Sequence, residues 1–384
     1  VVKIARLESP DAQTARHSFR SAYWNYQYYR ANYLPSLSLS SDPNLNRAIN
    51  KITMGDGSVK FVEQNLLNTD LTLNLSQNIP WTGGSLFLET SAQRMDLFSE
   101  HKYSWQTSPI MIGYRQSLFG YNSLKWDKRI EPVRYQEAKK SYVETLELVS
   151  ANAINKFFAL ATAQSNYDIA SFNYANADTL YRYAQGRYNI GTITENEMLQ
   201  LELNRLTEET NRMNARIEMD NCMKELRSYL GIQEEREIRV RVSSRIPNFS
   251  INLNEALALA YENSPDIQTM KRRKLESESA VARARANAGL KADIYLRFGL
   301  TQTADKLPEA YRNLLDQQYV SLSISLPILD WGRGKGQVRV ARSNRDLVYT
   351  QVEQSRTDFE LNVRKLVKQF NLQTQRVRIA ARTD

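Results

Sequence analysis

Two rhythms of apolar positions divide the chain. From Tyr121 to Gly231 the spacing is that of long helices: Tyr142, Leu146, Val149, Ala153, Phe157, Leu160, Gln164 and Tyr167 recur at mostly alternating steps of four and three, a coiled-coil seam. A second arm repeats the rhythm through Leu199, Leu203, Leu206, Thr210, Met213 and Ile217, with no proline in either arm after Pro132. The single break is Gly186-Arg187-Tyr188-Asn189-Ile190-Gly191, where Gly191 supplies the left-handed backbone of a reversal and Thr192 or Thr194 caps the returning arm. At about 1.5 Å per residue, the stretch from Gly120 to Gly186 predicts a rod of roughly 100 Å.

Elsewhere the period falls to two. Leu71, Leu73 and Leu75 alternate with Thr72, Asn74 and Ser76, and Ile110, Ile112 and Tyr114 with Met111, Gly113 and Arg115. Later, Ile294, Leu296 and Phe298 alternate with Asp293, Tyr295 and Arg297, and Val320, Leu322 and Ile324 with Ser321 and Ser323. Leu37 and Leu39 begin another strand, and a further one from about 85 to 95 follows the turn Pro80-Trp81-Thr82-Gly83-Gly84. Antiparallel crossing then puts that turn on the helix side and the loops at 44–65 and 96–106 on the other.

The two blocks are copies. Ser9-Pro10-Asp11-Ala12-Gln13-Thr14 returns as Ser264-Pro265-Asp266-Ile267-Gln268-Thr269, and Arg30-Ala31-Asn32 returns at the same offset as Arg285-Ala286-Asn287. Each copy opens with a helix that has proline in its first turn and serine as cap. Aligning the strand exits Ser117-Leu118-Phe119-Gly120 and Pro327-Ile328-Leu329-Asp330 leaves 45 extra residues in the first copy, room for one more hairpin. The expected segments are a helix over 1–32, four strands over 33–120, a helical hairpin over 121–231, a linker over 232–253, a helix over 254–288, two strands over 289–330, and a long helix over 331–384. The linker alternates Arg239, Arg241 and Arg245 with Val240, Val242 and Ser244 before Pro247; it pairs as a short strand or wraps the helices.

The alternating strands fit either an antiparallel sheet on a soluble core or a membrane barrel, apolar outside and polar inside. Long helices offer no second layer to bury a soluble sheet face, which favours the barrel. So do the aromatics: Trp81, Trp126 and Trp331 fall at strand ends or turns on the helix side and Trp105 by the opposite loops, the places of interfacial girdles.

Composition sharpens this picture. Among 384 residues there are only 14 Gly and 10 Pro, few places to divide the chain, and 21 Tyr, suited to surfaces that meet water or headgroups. The net charge of +9 is local: residues 331–384 hold 12 Lys and Arg against 5 Asp and Glu, which is +7 of it. There those residues alternate with a seam at Val348, Val352, Phe359, Val363, Leu366 and Phe370, as on a helix wet on one side, so nucleic acid is not the expected partner. No apolar run is long enough for a transmembrane helix and no signal pattern precedes Val1, so the protein is cytosolic or a signal has been removed.

Candidate chemistry adds little. Gly332-Arg333-Gly334-Lys335-Gly336 lacks the spacing and the Ser or Thr of a phosphate loop and reads as a strand-to-helix joint. His17 and His101 are too far apart to suggest a metal pair, and Cys222 inside the second arm reads as packing. Glu195 and Glu197 line an ion-selective constriction or simply start a helix. No catalytic constellation, metal site or cofactor is expected.

The order of these elements resembles the TolC-like outer-membrane efflux channel family across essentially the whole chain. Arg187-Tyr188-Asn189-Ile190-Gly191 matches that family's Arg-Tyr-x-x-Gly at the periplasmic turn, and Tyr33-Leu34-Pro35-Ser36-Leu37 and Leu326-Pro327-Ile328 are similar to its proline-marked barrel-to-helix transitions. The resemblance implies an α+β fold: a long α-helical coiled-coil barrel continuous with a trimeric antiparallel transmembrane β-barrel, internally duplicated. It implies a homotrimer in the outer membrane of a Gram-negative bacterium with helices in the periplasm, the exit duct of a tripartite efflux pump or type I secretion system. Its partners would be outer-membrane lipid, a periplasmic adaptor met by Arg187, Tyr188, Asn189, Ile190 and Gly191, and an inner-membrane pump. Leu71, Leu73, Leu75, Ile110, Ile112, Tyr114, Ile294, Leu296, Phe298, Val320, Leu322 and Ile324 would face lipid. Thr72, Asn74, Ser76, Arg115, Arg297, Ser321 and Ser323 would face the lumen. Six strands per chain would give 18 in place of the family's 12, unless the extra pair folds into the lumen or lies outside as a plug. An equivalent of Gly191 in the second copy falls near position 401, so the second hairpin's tip is expected beyond Asp384. The alternative is a soluble coiled-coil scaffold with a basic helix, Arg333 to Arg382, that binds nucleic acid or a membrane surface.

Overall fold

A computed structural model describes residues 1–384 except 56, 99, 236, 243–248 and 384. The linker residues Ser244, Arg245 and Pro247 and the side chain of Arg382 lie outside the described residues. The chain forms two compact units, one of residues 1–22, 137–265 and 360–384, the other of 23–136 and 266–359.

The first unit is helical. Helices α1 (Val2–Glu8) and α2 (Pro10–Ala31) are separated by Ser9, which is fully buried and accepts a hydrogen bond on Oγ from the Ala12 amide at 3.1 Å. The second copy repeats the device with α5 (Leu253–Asn263) and α6 (Pro265–Ala288) about Ser264. Each copy therefore opens with two helices and not one, because proline cannot donate to the preceding turn.

Helices α3 (Ser123–Asn189) and α4 (Glu195–Leu230) form the hairpin. Val149, Ala153 and Leu160 of α3 are buried with Leu226 and Leu230 of α4 and Ala5 and Ala12. In α4 the predicted seam is corrected: Leu199, Leu203, Leu206, Met213 and Ile217 are exposed. The side turned toward α3 carries Arg205 and Arg212, whose guanidinium groups lie 5.4 Å over Tyr181 and 4.0 Å over Tyr174. Both pairs are seven residues apart, so cation–π rungs replace aliphatic knobs along this stretch.

The described part of the linker forms no strand. Gln164 Nε2 donates to the Ile238 carbonyl at 2.7 Å and its Oε1 accepts from the Val240 amide at 3.1 Å, so one side-chain amide replaces a strand partner. Asn371 treats Ile251 the same way, accepting from its amide and donating to its carbonyl. In α7 (Arg333–Thr383) the buried seam holds Val352 and Val367, while Leu366 is exposed.

The second unit carries one antiparallel sheet of β1 (Ser36–Ser40), β2 (Asn44–Thr53), β3 (Val59–Ile79), β4 (Gly84–Leu97), β5 (Lys102–Ser117), β6 (Lys291–Ala304) and β7 (Leu315–Ser325). Strands β1 and β2 pair with successive halves of β3, Ser36–Ser40 with Thr72–Ser76 and Asn44–Thr53 with Val59–Asn68, so together they occupy one position. The order is β1/β2, β3, β4, β5, β6, β7: four positions from the first copy and two from the second. The extra hairpin lies within the sheet of the chain. In place of the loop expected at 44–65, Asn44–Thr53 and Val59–Asn68 pair as a two-stranded ribbon that runs past the last β3–β4 pair, Leu66 with Leu97.

Candidate channel surfaces: the sheet faces and the helical tip

Cross-strand register sorts the alternating residues into two faces. One row runs Leu37, Leu75, Leu88, Ile112, Phe298 across five positions. A second runs Tyr114, Leu296, Val320, and a third joins Ile294 to Leu322. With Leu71, Leu73, Ile110 and Ile324, all twelve residues expected to face lipid share this face. The opposite face holds Thr72, Asn74, Ser76, Arg115, Arg297, Ser321 and Ser323.

Burial is inverted relative to a soluble sheet. Leu71, Leu73 and Leu75 are 51%, 37% and 38% exposed, while Thr72, Asn74 and Ser76 between them are half-buried. Val320, Leu322 and Ile324 are more than half exposed. On the polar face Phe87 lies over Gly113, its cross-strand partner, where a Cβ would stand 2.0 Å from the ring. Beside it Arg297 reaches Glu89 at 3.1 Å, and Met111 is fully buried. Asn68 Oδ1, Asn74 Oδ1 and Arg297 Nε find no protein partner, a cost of about 1–3 kcal/mol each unless water reaches them. This face gathers the polar and charged groups; the other gathers the apolar ones.

The aromatics mark both ends of the apolar band. Trp81 is 86% exposed in the β3–β4 turn, Trp331 is 91% exposed just before α7, and Trp126 in the first turn of α3 lies under Arg129 at 4.8 Å. At the other end Arg94 lies over Tyr103 and Trp105, and β4 runs to Leu97 and β5 starts at Lys102, so the strands extend into the loop expected at 96–106. Trp24 on α2, 66% exposed, was not singled out in the sequence because its helix shows no strand period. Nor were Leu86 and Leu88, which complete the band on β4, because the apolar Phe87 between them hides the alternation.

At the hairpin tip, α3 runs through Gly186 to Asn189, so the break is 190–194 and shorter than predicted. Gly191 (φ +73°) donates to the Tyr188 carbonyl and Thr192 to that of Arg187, a Schellman closure. Thr194 and Glu197 complete a reciprocal capping box, and the bonds from the Thr194 backbone, then its side chain, hold the Glu197 carboxyl below its ordinary range. Glu197 is thus a cap, which accounts for it without a constriction. Arg187, Tyr188, Asn189 and Ile190 stand exposed around the closure, Ile190 at 74%. In the other unit, the Gly332 and Gly334 amides donate to Asp330 Oδ1 and Oδ2 at 2.9 and 2.8 Å, so those N–H groups are not free for a phosphate.

With this geometry in hand, solved structures supply the comparison. The CmeC outer membrane channel of Campylobacter jejuni superposes with a TM-score of 0.65 at 17% identity, covering 93% of this chain and 67% of that one. The outer-membrane channel OprN gives 0.66 at 15%, covering 99% and 75%. The outer membrane protein VceC of Vibrio cholerae gives 0.61 at 14%, covering 92% and 74%. The fold is that of the TolC-like outer-membrane channels. No protein-family model and no curated protein sequence matches the chain. A TolC-like fold accounts for the pairing of an inverted sheet with a capped helical hairpin, which neither a soluble sandwich nor a simple coiled coil provides.

Proposed function

We propose that the chain is one subunit of a homotrimeric channel in the outer membrane of a Gram-negative bacterium, a passive exit duct with its helices in the periplasm. The observation that carries the reading is the face of the sheet that exposes Leu37, Leu75, Ile112 and Phe298 in one row between two sets of aromatics. Hydrocarbon is the solvent in which such a face is stable. In the proposed trimer, β7 of one subunit pairs with β1 and β2 of the next, closing 18 strands and leaving no open edge. The exposed stripe Leu199, Leu203, Leu206, Met213 and Ile217 packs on a neighbouring subunit. Cargo moves through the polar interior, driven by an inner-membrane pump of a tripartite efflux or type I secretion system. The tip at Arg187, Tyr188, Asn189, Ile190 and Gly191 docks on the periplasmic adaptor, and no cofactor takes part.

Two measurements test this. The native protein should fractionate with outer membrane as a trimer that heat dissociates; a soluble monomer sinks the reading. Crossing order is read by an impermeant thiol reagent in intact cells after Cys222→Ser. Gly55→Cys, at an open position in the β2–β3 turn, should be labelled, and Trp81→Cys spared. Gly83 is a poor probe site, since its φ is +78° and a Cβ would meet Asn122 at 2.9 Å. Labelling of position 81 alone would reverse the topology.

A further inference from the structure

Four helices begin with acidic residues in the first turn: Asp11 in α2, Glu195 and Glu197 in α4, Glu255 in α5 and Asp266 in α6. The two helices that follow the strand blocks, α3 and α7, have none. In α7, Lys335, Arg339 and Arg342 instead follow one another at steps of four and three, three like charges on one stripe near the helix's positive end. All three are exposed, and none has an ion-pair partner among the described residues. With Pro327, Ile328 and Asp330 they line a cleft of about 480 Å³. Asp330, held by the Gly332 and Gly334 amides, sets one negative charge near Lys335 against the three cations, so the cleft stays net positive.

The cleft adjoins bare apolar surface. Leu326, Ile328, Leu329 and Trp331 are 61%, 93%, 70% and 91% exposed. Trp331 holds φ at +53°, a left-handed conformation that a bulky residue adopts against its preference, and its indole stays in the open. A soluble anion would satisfy the cations and leave these four side chains in water. An amphiphile satisfies both.

We propose that the β7–α7 junction binds the phosphodiester headgroup of an anionic phospholipid through Lys335, Arg339 and Arg342, with its acyl chains against Ile328, Leu329 and Trp331. The inference rests on the proposed membrane reading of the sheet, since it places this junction where the apolar band ends. Clustered cations beside an apolar anchor are the chemistry that prefers anionic to zwitterionic headgroups.

The test uses the full chain with Trp331 as sole tryptophan, Trp24, Trp81, Trp105 and Trp126 being changed to Phe, reconstituted in vesicles with brominated phosphatidylglycerol or brominated phosphatidylcholine at equal mole fraction. Phosphatidylglycerol should quench Trp331 with a relative association constant at least about fivefold higher. K335Q/R339Q/R342Q should bring the ratio near one. Should that triple variant misfold, about 1 M salt should erase the preference of the native cations, since screening then acts within about 3 Å. Inorganic phosphate should not compete. Equal quenching by both lipids in low salt overturns the proposal, as does a preference abolished by inorganic phosphate. Quenching by neither lipid overturns the membrane reading itself, so the two failures are distinct.

Discussion

The helical unit and the sheet treat the same residue types in opposite ways. In the core shared by α1 to α4 aliphatic side chains go in, Leu160 fully and Leu226 nearly so, although the α4 stripe from Leu199 to Ile217 stays exposed. On β3, Leu71, Leu73 and Leu75 go out, and Thr72, Asn74 and Ser76 between them are the half-buried ones. A single burial rule cannot produce both within one solvent. Under the proposed reading the contrast reflects two solvents along one chain, water around the hairpin and hydrocarbon around the band.

The contrast can be broken most forcefully at its centre. Leu160→Ala should destabilise the helical unit by about 2–5 kcal/mol through lost burial and a residual cavity, read by chemical unfolding. Leu75→Ala, at an exposed site, should cost far less in the same assay; equal costs would mean that the sheet face is a core after all. Next comes the sheet itself in lipid. Leu73→Arg or Leu296→Arg should cost about 2–4 kcal/mol near mid-bilayer, whereas Asn74→Arg or Ser323→Arg should insert normally and change conductance. Equal damage from both sets would remove the barrel. A smaller effect is expected at the tip: Gly191→Val forces a branched residue to φ +73°, at a cost of about 1–2 kcal/mol, and should reduce export while trimers still form. Loss of trimers in step with export would make the turn a folding element. The smallest concerns Glu197. Because its folded pKa lies below the ordinary 4.5, the cap's contribution is present above that value and is lost as pH falls through the depressed one. Amide exchange in the first turn of α4 should therefore quicken with acid relative to mid-helix amides, and Glu197→Gln should abolish that dependence.

Much of the sheet was legible because a period of two has only two faces, and register cannot rotate them independently. The duplication was legible through Ser9-Pro10 and Ser264-Pro265, where the chain must break for want of a proline amide. The α4 seam was not. Leu199, Leu203 and Leu206 make the stronger apolar stripe, yet Arg205 and Arg212 face α3 because Tyr181 and Tyr174 offer them ring faces, an attraction invisible to hydropathy. The β2–β3 ribbon was missed for a related reason: Asn44, Asn46, Asn50 and Lys51 read as loop, though a hairpin open to water on both faces needs no apolar side. Gln164 as a stand-in strand partner is likewise a contact between distant positions, with no local signal.

The seam between β5 and β6 sets a timetable. Ser108 and Thr301, neighbours across it, are 193 positions apart in the chain, and closing a loop of that size costs on the order of 5 kcal/mol in chain entropy. The first four strand positions can zip locally, hairpin by hairpin, while the edge of β5 waits for its partner to exist. Until β6 joins, Ile110 and Ile112 border an unpaired edge that another chain could pair with.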